Sequence, residues 1–119
     1  MVITRILVVD DSAHFRRVLS QLLASRGFEL VEAVADGEAA LAAVRRDCPD
    51  GVFLDINLPG RDGYTVAASL ALVCPTARIV LTSSDADEVP SSVLRDCGAT
   101  AFVPKIELAT ADLDGLFIA

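Results

Sequence analysis

Five short apolar runs recur along the chain: Ile6-Leu7-Val8-Val9, the stretch around Leu30-Val31, Val52-Phe53-Leu54, Ile79-Val80-Leu81 and Ala101-Phe102-Val103. Between them lie segments of helical period. Phe15, Val18, Leu19, Leu22 and Leu23 recur at i, i+3, i+4, i+7 and i+8. Val66, Ala67, Leu70, Val73 and Cys74 repeat that spacing, and Val89, Val93, Leu94 and Cys97 keep a shorter form of it. Helix signals agree with this division. Asp11 or Ser12 can cap the first helix, Asp36 the second and Asp62 the third, while Gly27 and Gly98 supply stops. The pattern predicts an α/β fold of five strand–helix units, (βα)5, in one domain spanning residues 1–119.

Strands that alternate with helices run parallel, and right-handed crossovers put helices on both faces of one sheet. The first, third and fourth runs are uniformly apolar and belong at its centre. The second carries Glu29 and Glu32 and the fifth is followed by Pro104, which lacks a ladder donor, so both belong at the edges. The order 2-1-3-4-5 satisfies these constraints. Its winding reverses between strands 1 and 3, and ligands of such sheets bind at the carboxyl ends of the strands beside that point.

Residues closing each strand are therefore the candidates for chemistry: Asp10 and Asp11, Asp55 and Asn57, Ser83, and Lys105. Each alone has an ordinary explanation as a cap, turn residue, loop hydroxyl or solvated lysine. The topology, however, brings all of them to one rim. Three carboxylates in one crevice repel one another and need a counter-charge. A hard divalent cation held by oxygen ligands meets that need, and Mg2+ fits better than zinc. Asp55 then has a route to nucleophilic attack on a phosphoryl group, with Lys105 offering positive charge and Ser83 a hydroxyl. No Gly-rich phosphate loop or GxGxxG is present to anchor a nucleotide.

Composition narrows the function classes. A formal charge of −7 and a pI near 4.4 would repel a phosphate backbone, so direct nucleic-acid binding by this segment is not expected. The apolar stretches are strand-length and Met1–Arg5 carries no signal-peptide pattern, which predicts a cytoplasmic protein without a membrane role. Three cysteines, an odd number with no Cys-x-x-Cys and no nearby histidine, argue against a disulfide framework and a zinc site. Cys48, Cys74 and Cys97 are expected to stay reduced as small buried hydrophobes. Cys48-Pro49 and Cys74-Pro75 nevertheless form an internal echo, each just before a strand. His14 and the Arg16-Arg17 pair read as a solvent-facing part of helix 1, with the arginines close enough to soften the acidic crevice.

Over essentially its whole length the sequence resembles the receiver domain of two-component response regulators, of the chemotaxis-regulator-like, flavodoxin-like type. The matching segments are Ile6-Leu7-Val8-Val9-Asp10-Asp11-Ser12, Leu54-Asp55-Ile56-Asn57-Leu58-Pro59-Gly60-Arg61-Asp62-Gly63, Ile79-Val80-Leu81-Thr82-Ser83-Ser84 and Gly98-Ala99-Thr100-Ala101-Phe102-Val103-Pro104-Lys105. The resemblance implies a phosphorylatable switch in which Asp55 accepts a phosphoryl group from a sensor histidine kinase or a phosphotransfer protein. It implies Mg2+ bound directly by Asp11, Asp55 and the Asn57 backbone carbonyl, with Asp10 acting through water. Ser83 falls on the family's hydroxyl position and Phe102 on its aromatic switch position. Asn57 and Asp85 flank the path of the water that attacks the phosphoryl group, and helix 4, strand 5 and helix 5 form the surface for a downstream partner or a second copy. Catalysis is then limited to the domain's own phosphorylation and dephosphorylation.

Two rivals differ in class. One is an aspartate-nucleophile phosphatase acting on small phosphoesters, resembling the haloacid dehalogenase family, whose Asp-x-Asp motif is absent from Asp10-Asp11-Ser12. The other is a pseudo-receiver that only binds partners, which the full Asp, Ser and Lys set opposes. One departure from the family is local: Lys105 is followed by Ile106 where the family often has proline. A cis bond before an ordinary residue costs roughly 2.5–4 kcal/mol, so the Lys105–Ile106 bond is expected to be trans.

Overall fold

The computed structural model describes residues 3–84 and 88–118. Its elements follow in chain order: β1 Arg5–Val9, α1 Ala13–Ser25, β2 Glu29–Val34, α2 Gly37–Arg46, β3 Gly51–Asp55, α3 Gly63–Val73, β4 Arg78–Ser83, α4 Ser91–Cys97, β5 Ala101–Pro104, a 3-10 helix Lys105–Thr110 and α5 Leu113–Phe117. All strand pairs are parallel, and the sheet order is β2-β1-β3-β4-β5, as the apolar runs predict.

Side chains alternate between faces along each strand, so the sheet builds two cores. Leu7, Val9, Val52, Leu54, Ile79 and Leu81 meet Val66 and Leu70 of α3 and Leu41 and Val44 of α2 on one face. Ile6, Val8, Phe53 and Val80 meet Leu19 and Leu23 of α1 and Phe117 of α5 on the other. Phe117 stacks edge-to-face on Phe53 at 4.9 Å, and a Cβ at Gly51 would lie 2.2 Å from the Phe117 ring. Glycine at position 51 is therefore the seat for the Phe117 ring that α5 sends against β3.

The caps behave as their residue types dictate. Ser12, Asp36 and Asp62 each accept a hydrogen bond from the backbone N–H three residues on, fixing where α1, α2 and α3 begin. Gly27 and Gly98 stand at φ 85° and 77° where the first and fourth helices stop. These starts matter because they set the loops that carry the candidate residues.

Two expectations need correction. Cys48 and Cys74 are joined by a disulfide, with Cα atoms 5.8 Å apart, and only Cys97 is free and buried. The two cysteines precede adjacent strands β3 and β4, so one residue from each of two successive units comes to the same corner. An odd cysteine count does not exclude one such pair, and the 26-residue Cys-Pro echo marks successive strand–helix units without announcing a bond. The second correction lies at the end of the chain: Lys105 opens a 3-10 helix and α5 has only five residues, so the last helix is shorter than the earlier units imply.

Candidate functional site

Four of the five strands of this sheet send a candidate side chain or loop to the same rim. Asp10 follows β1, β3 ends in Asp55, β4 in Ser83, and Lys105 follows β5. Asp10, Asp55 and Ser83 are buried, as is Thr82, the register partner of Asp55. Asp11 is exposed at the mouth.

The loop after β3 is held tightly. Asp55 Oδ1 accepts the backbone N–H of Asn57 at 2.9 Å, and the Ile56 N–H donates to the Thr82 carbonyl at 3.0 Å. A Cβ at Gly63 would fall 2.3 Å from the Ile56 Cα and 2.8 Å from the Asp55 carbonyl oxygen. Only glycine lets the start of α3 press against the backbone that carries Asp55. The Asn57 side-chain amide donates to Ser83 Oγ at 3.2 Å, which ties the β3 and β4 loops together.

On the β1 side, Asp10 Oδ1 accepts the Ser12 N–H at 2.8 Å, and the Asp10 carbonyl accepts Arg16 Nη1 at 2.7 Å. Arg16 is thus a brace for this loop rather than a solvated charge, while His14 and Arg17 are exposed as expected. Lys105 Nζ lies 2.7 Å from Asp10 Oδ2 and 3.1 Å from Asp55 Oδ2. The contact with Asp55 is a hydrogen bond. That with Asp10 is the shorter ion pair, and the buried Asp10 Oδ2 meets no donor besides this ammonium among the described residues. The Lys105–Ile106 bond is trans, as expected of a non-proline residue.

Electrostatics follow from burial. Desolvation pushes the Asp10 carboxyl above the ordinary aspartate value and outweighs the lowering effect of Lys105 and of the Ser12 N–H; the nearby Asp55 raises it further. Desolvation also works to lower the pKa of Lys105, but its contacts with Asp10 and Asp55 prevail and the net shift is upward. One ammonium therefore stays charged between two carboxylates.

One lysine does not balance three aspartates. The carboxylate oxygens of Asp10, Asp11 and Asp55 approach within 4.8 Å of one another, and Asp10 Oδ2 meets only the shared Lys105 ammonium among the described residues. An all-oxygen set of this kind, two members buried and one exposed, fits a hard divalent cation such as Mg2+.

Of the remaining candidates, Phe102 is half-buried and packs on the core face shared with α3 and Leu94 of α4. Asp85 lies outside the described residues. Phe15 is a residue that sequence reasoning placed only in the α1 core: its ring lies 4.3 Å from Lys105 Nζ. The available signal was its position four residues after Asp11, one helical turn into a helix that begins at the rim.

Residues 6–113 match the family model described as response regulator receiver domain. A protein-glutamate methylesterase/protein-glutamine glutaminase of Anaeromyxobacter dehalogenans is 39% identical over 110 residues, which are 92% of this chain and 32% of that protein. The chain thus spans about a third of the length of such relatives. Among solved structures, a LuxR-family two-component response regulator from Aurantimonas superposes with a TM-score of 0.84 at 27% identity, covering 97% of this chain and 86% of that one. A CheX–CheY–BeF3–Mg2+ complex from Borrelia burgdorferi gives 0.79 at 26% identity, covering 98% and 90%. With five parallel strands in the order 2-1-3-4-5, a family match across nearly the whole chain and these neighbours, the chain belongs to the response regulator receiver domains of two-component systems.

Proposed function

We propose that residues 1–119 act as one phosphorylatable switch in which Asp55 accepts a phosphoryl group from the phosphohistidine of a sensor histidine kinase or phosphotransfer protein. The observation that carries this reading is the placement of Lys105 Nζ 3.1 Å from Asp55 Oδ2, in a buried crevice also lined by Asp10. An Asp55 carboxylate oxygen forms the new O–P bond as the P–N bond to the imidazole breaks, and the imidazole leaves with the electron pair and takes up a proton. Lys105 stands where it can neutralise charge on the transferring oxygens. Asp11, Asp55 and the Asn57 carbonyl, with Asp10 through water, would hold Mg2+, which when bound supplies positive charge to carboxylates and phosphoryl oxygens alike.

Ser83 then gives its hydroxyl proton to the phosphoryl group, while its oxygen can go on accepting from the Asn57 amide. Phe102 follows by repacking beside α4. Asn57 and Asp85 set how readily water reaches the phosphoryl group. Helix α4, strand β5 and helix α5 form the surface for a downstream partner or second copy, with a groove between β5 and α5 lined by Phe102, Pro104, Glu107 and Leu116. No described helix is long and apolar enough to cross a membrane, and we place the domain in the cytoplasm.

The test is acetyl phosphate with Mg2+, read by intact mass. Wild type gains one labile phosphoryl group and Asp55→Asn gains none while keeping its fold. Equal labelling of the two proteins overturns the assignment. Steady release of phosphate from simple phosphoesters would favour a phosphatase instead.

A further inference from the structure

We infer that Phe15 is a positioning residue for Lys105, its ring face closing the third side of an ammonium that already meets Asp10 and Asp55. The inference deepens the proposed function and rests on it for the kinetic part alone; the geometric part stands by itself.

Lysine reaches its partners through four flexible carbons, and ordering such a side chain costs rotamer entropy. Two carboxylates hold the ammonium from two sides and leave a third side to be closed. The Phe15 ring supplies what is missing. It sits on α1, whose start is pinned by the Phe15 N–H donating to Ser12 Oγ at 3.2 Å, and it packs against the core that holds Leu19 and Leu23. The ring is thus fixed by the same loop that carries Asp10 and Asp11. An aromatic face at 4.3 Å attracts a cation and shuts out water that would otherwise solvate it. The Lys105 side chain is accordingly only 14% exposed, although the residues after it are at the surface.

This arrangement has two opposed consequences. Lys105 competes with a divalent cation for the Asp10 and Asp55 oxygens in the resting domain, so a ring that pins it weakens metal binding. The same pinning keeps a positive charge where the transferring oxygens develop theirs, so it speeds phosphorylation. A packing residue without this role would give no reason for the two properties to move apart.

The experiment compares wild type with Phe15→Leu, Phe15→Met and Phe15→Tyr. In the resting domain without metal, NMR signals of the Lys105 ε-methylene are expected upfield in wild type and Phe15→Tyr and at ordinary lysine positions in the two aliphatic variants. Mg2+ affinity, by titration, should rise several-fold in Phe15→Leu and Phe15→Met, and acetyl phosphate labelling should slow by about five-fold. Tyrosine restores both. Methionine keeps the volume without the ring, so it remains informative should leucine unfold the domain. Unshifted lysine signals in wild type overturn the placement. Affinity and labelling that fall together, or that ignore the ring, overturn the positioning role. If Asp55→Asn labels like wild type while the lysine signals behave as expected, the phosphoacceptor assignment is what fails.

Discussion

At the amino ends of the strands, Arg5 N–H donates to Asp50 Oδ2 at 2.8 Å, its guanidinium pairs with Asp47, and the Cys48–Cys74 disulfide joins the segments before β3 and β4. At the carboxyl ends, two buried aspartates and a third exposed one share a single lysine. The first end is exposed, so that water screens its charges, and it is covalently closed. The second carries an excess of like charge that the fold tolerates. The covalent brace and the acidic crevice thus occupy opposite ends of one sheet, and the crevice keeps its uncompensated charge within the fold.

Breaking the closed end should have the largest effect. By the chain-entropy model, a cross-link over 26 residues stabilises by about 3.5 kcal/mol. Cys48→Ser, or a reductant acting on wild type, should lower the denaturation midpoint accordingly and leave acetyl phosphate labelling unchanged. In a reducing cytosol the same pair would be two thiols, so urea melts with and without dithiothreitol measure how much of the comparison survives there. Superimposable melts would remove the disulfide from it.

Relieving the open end should have a smaller effect of opposite sign. Burial raises the Asp10 pKa, so its stabilising contribution is fully present below the unfolded value and is lost as pH rises through the folded one. At neutral pH the ionised carboxyl is a net cost, and Asp10→Asn should stabilise the metal-free domain by about 1–2 kcal/mol. Mild acidification in the presence of a chelator should stabilise wild type in the same direction, and Asp10→Asn should flatten that response. A destabilised Asp10→Asn protein would show that its pairing with Lys105 outweighs its burial.

Metal should act on the open end alone. At ten times its Kd, Mg2+ should add about 1.4 kcal/mol, a few degrees of melting temperature at this size. Asp11→Ala should abolish the shift, and Cys48→Ser should keep it. The smallest effect belongs to Asp47, whose hydrogen bond with Arg5 holds its pKa low. That contribution is present above the ordinary aspartate value and is lost as pH falls through the folded pKa. Because both groups are exposed, Asp47→Asn should move neutral-pH stability within experimental scatter and change only the acid limb of the melting profile.

How legible each end was in the sequence also differs. The strands were visible because Ile6-Leu7-Val8-Val9, Val52-Phe53-Leu54 and Ile79-Val80-Leu81 are buried on both faces, and the helix starts because Ser12, Asp36 and Asp62 act within three residues of themselves. Asp10, Asp55, Ser83 and Lys105 were visible as a set because topology alone carries strand ends to one rim. What escaped depends on side-chain direction across elements. Nothing near Cys48 announces a bond to Cys74, the 26-residue echo marking only successive units. Phe15 has the period of a core residue and does pack there, while its ring edge of the core is also the wall of the crevice. Arg16 was read from its charge as solvated, yet its guanidinium folds back onto the Asp10 carbonyl.

Asn57 takes part in two arrangements at once. Its side chain donates to Ser83 Oγ, and its backbone carbonyl belongs to the proposed metal set. A residue shared in this way would couple the two, and linkage is reciprocal: whatever factor metal occupancy applied to the Asn57–Ser83 bond, that bond would apply to metal affinity. The appetite for Mg2+ would then read the state of the β4 loop, with the size of that change set by one amide.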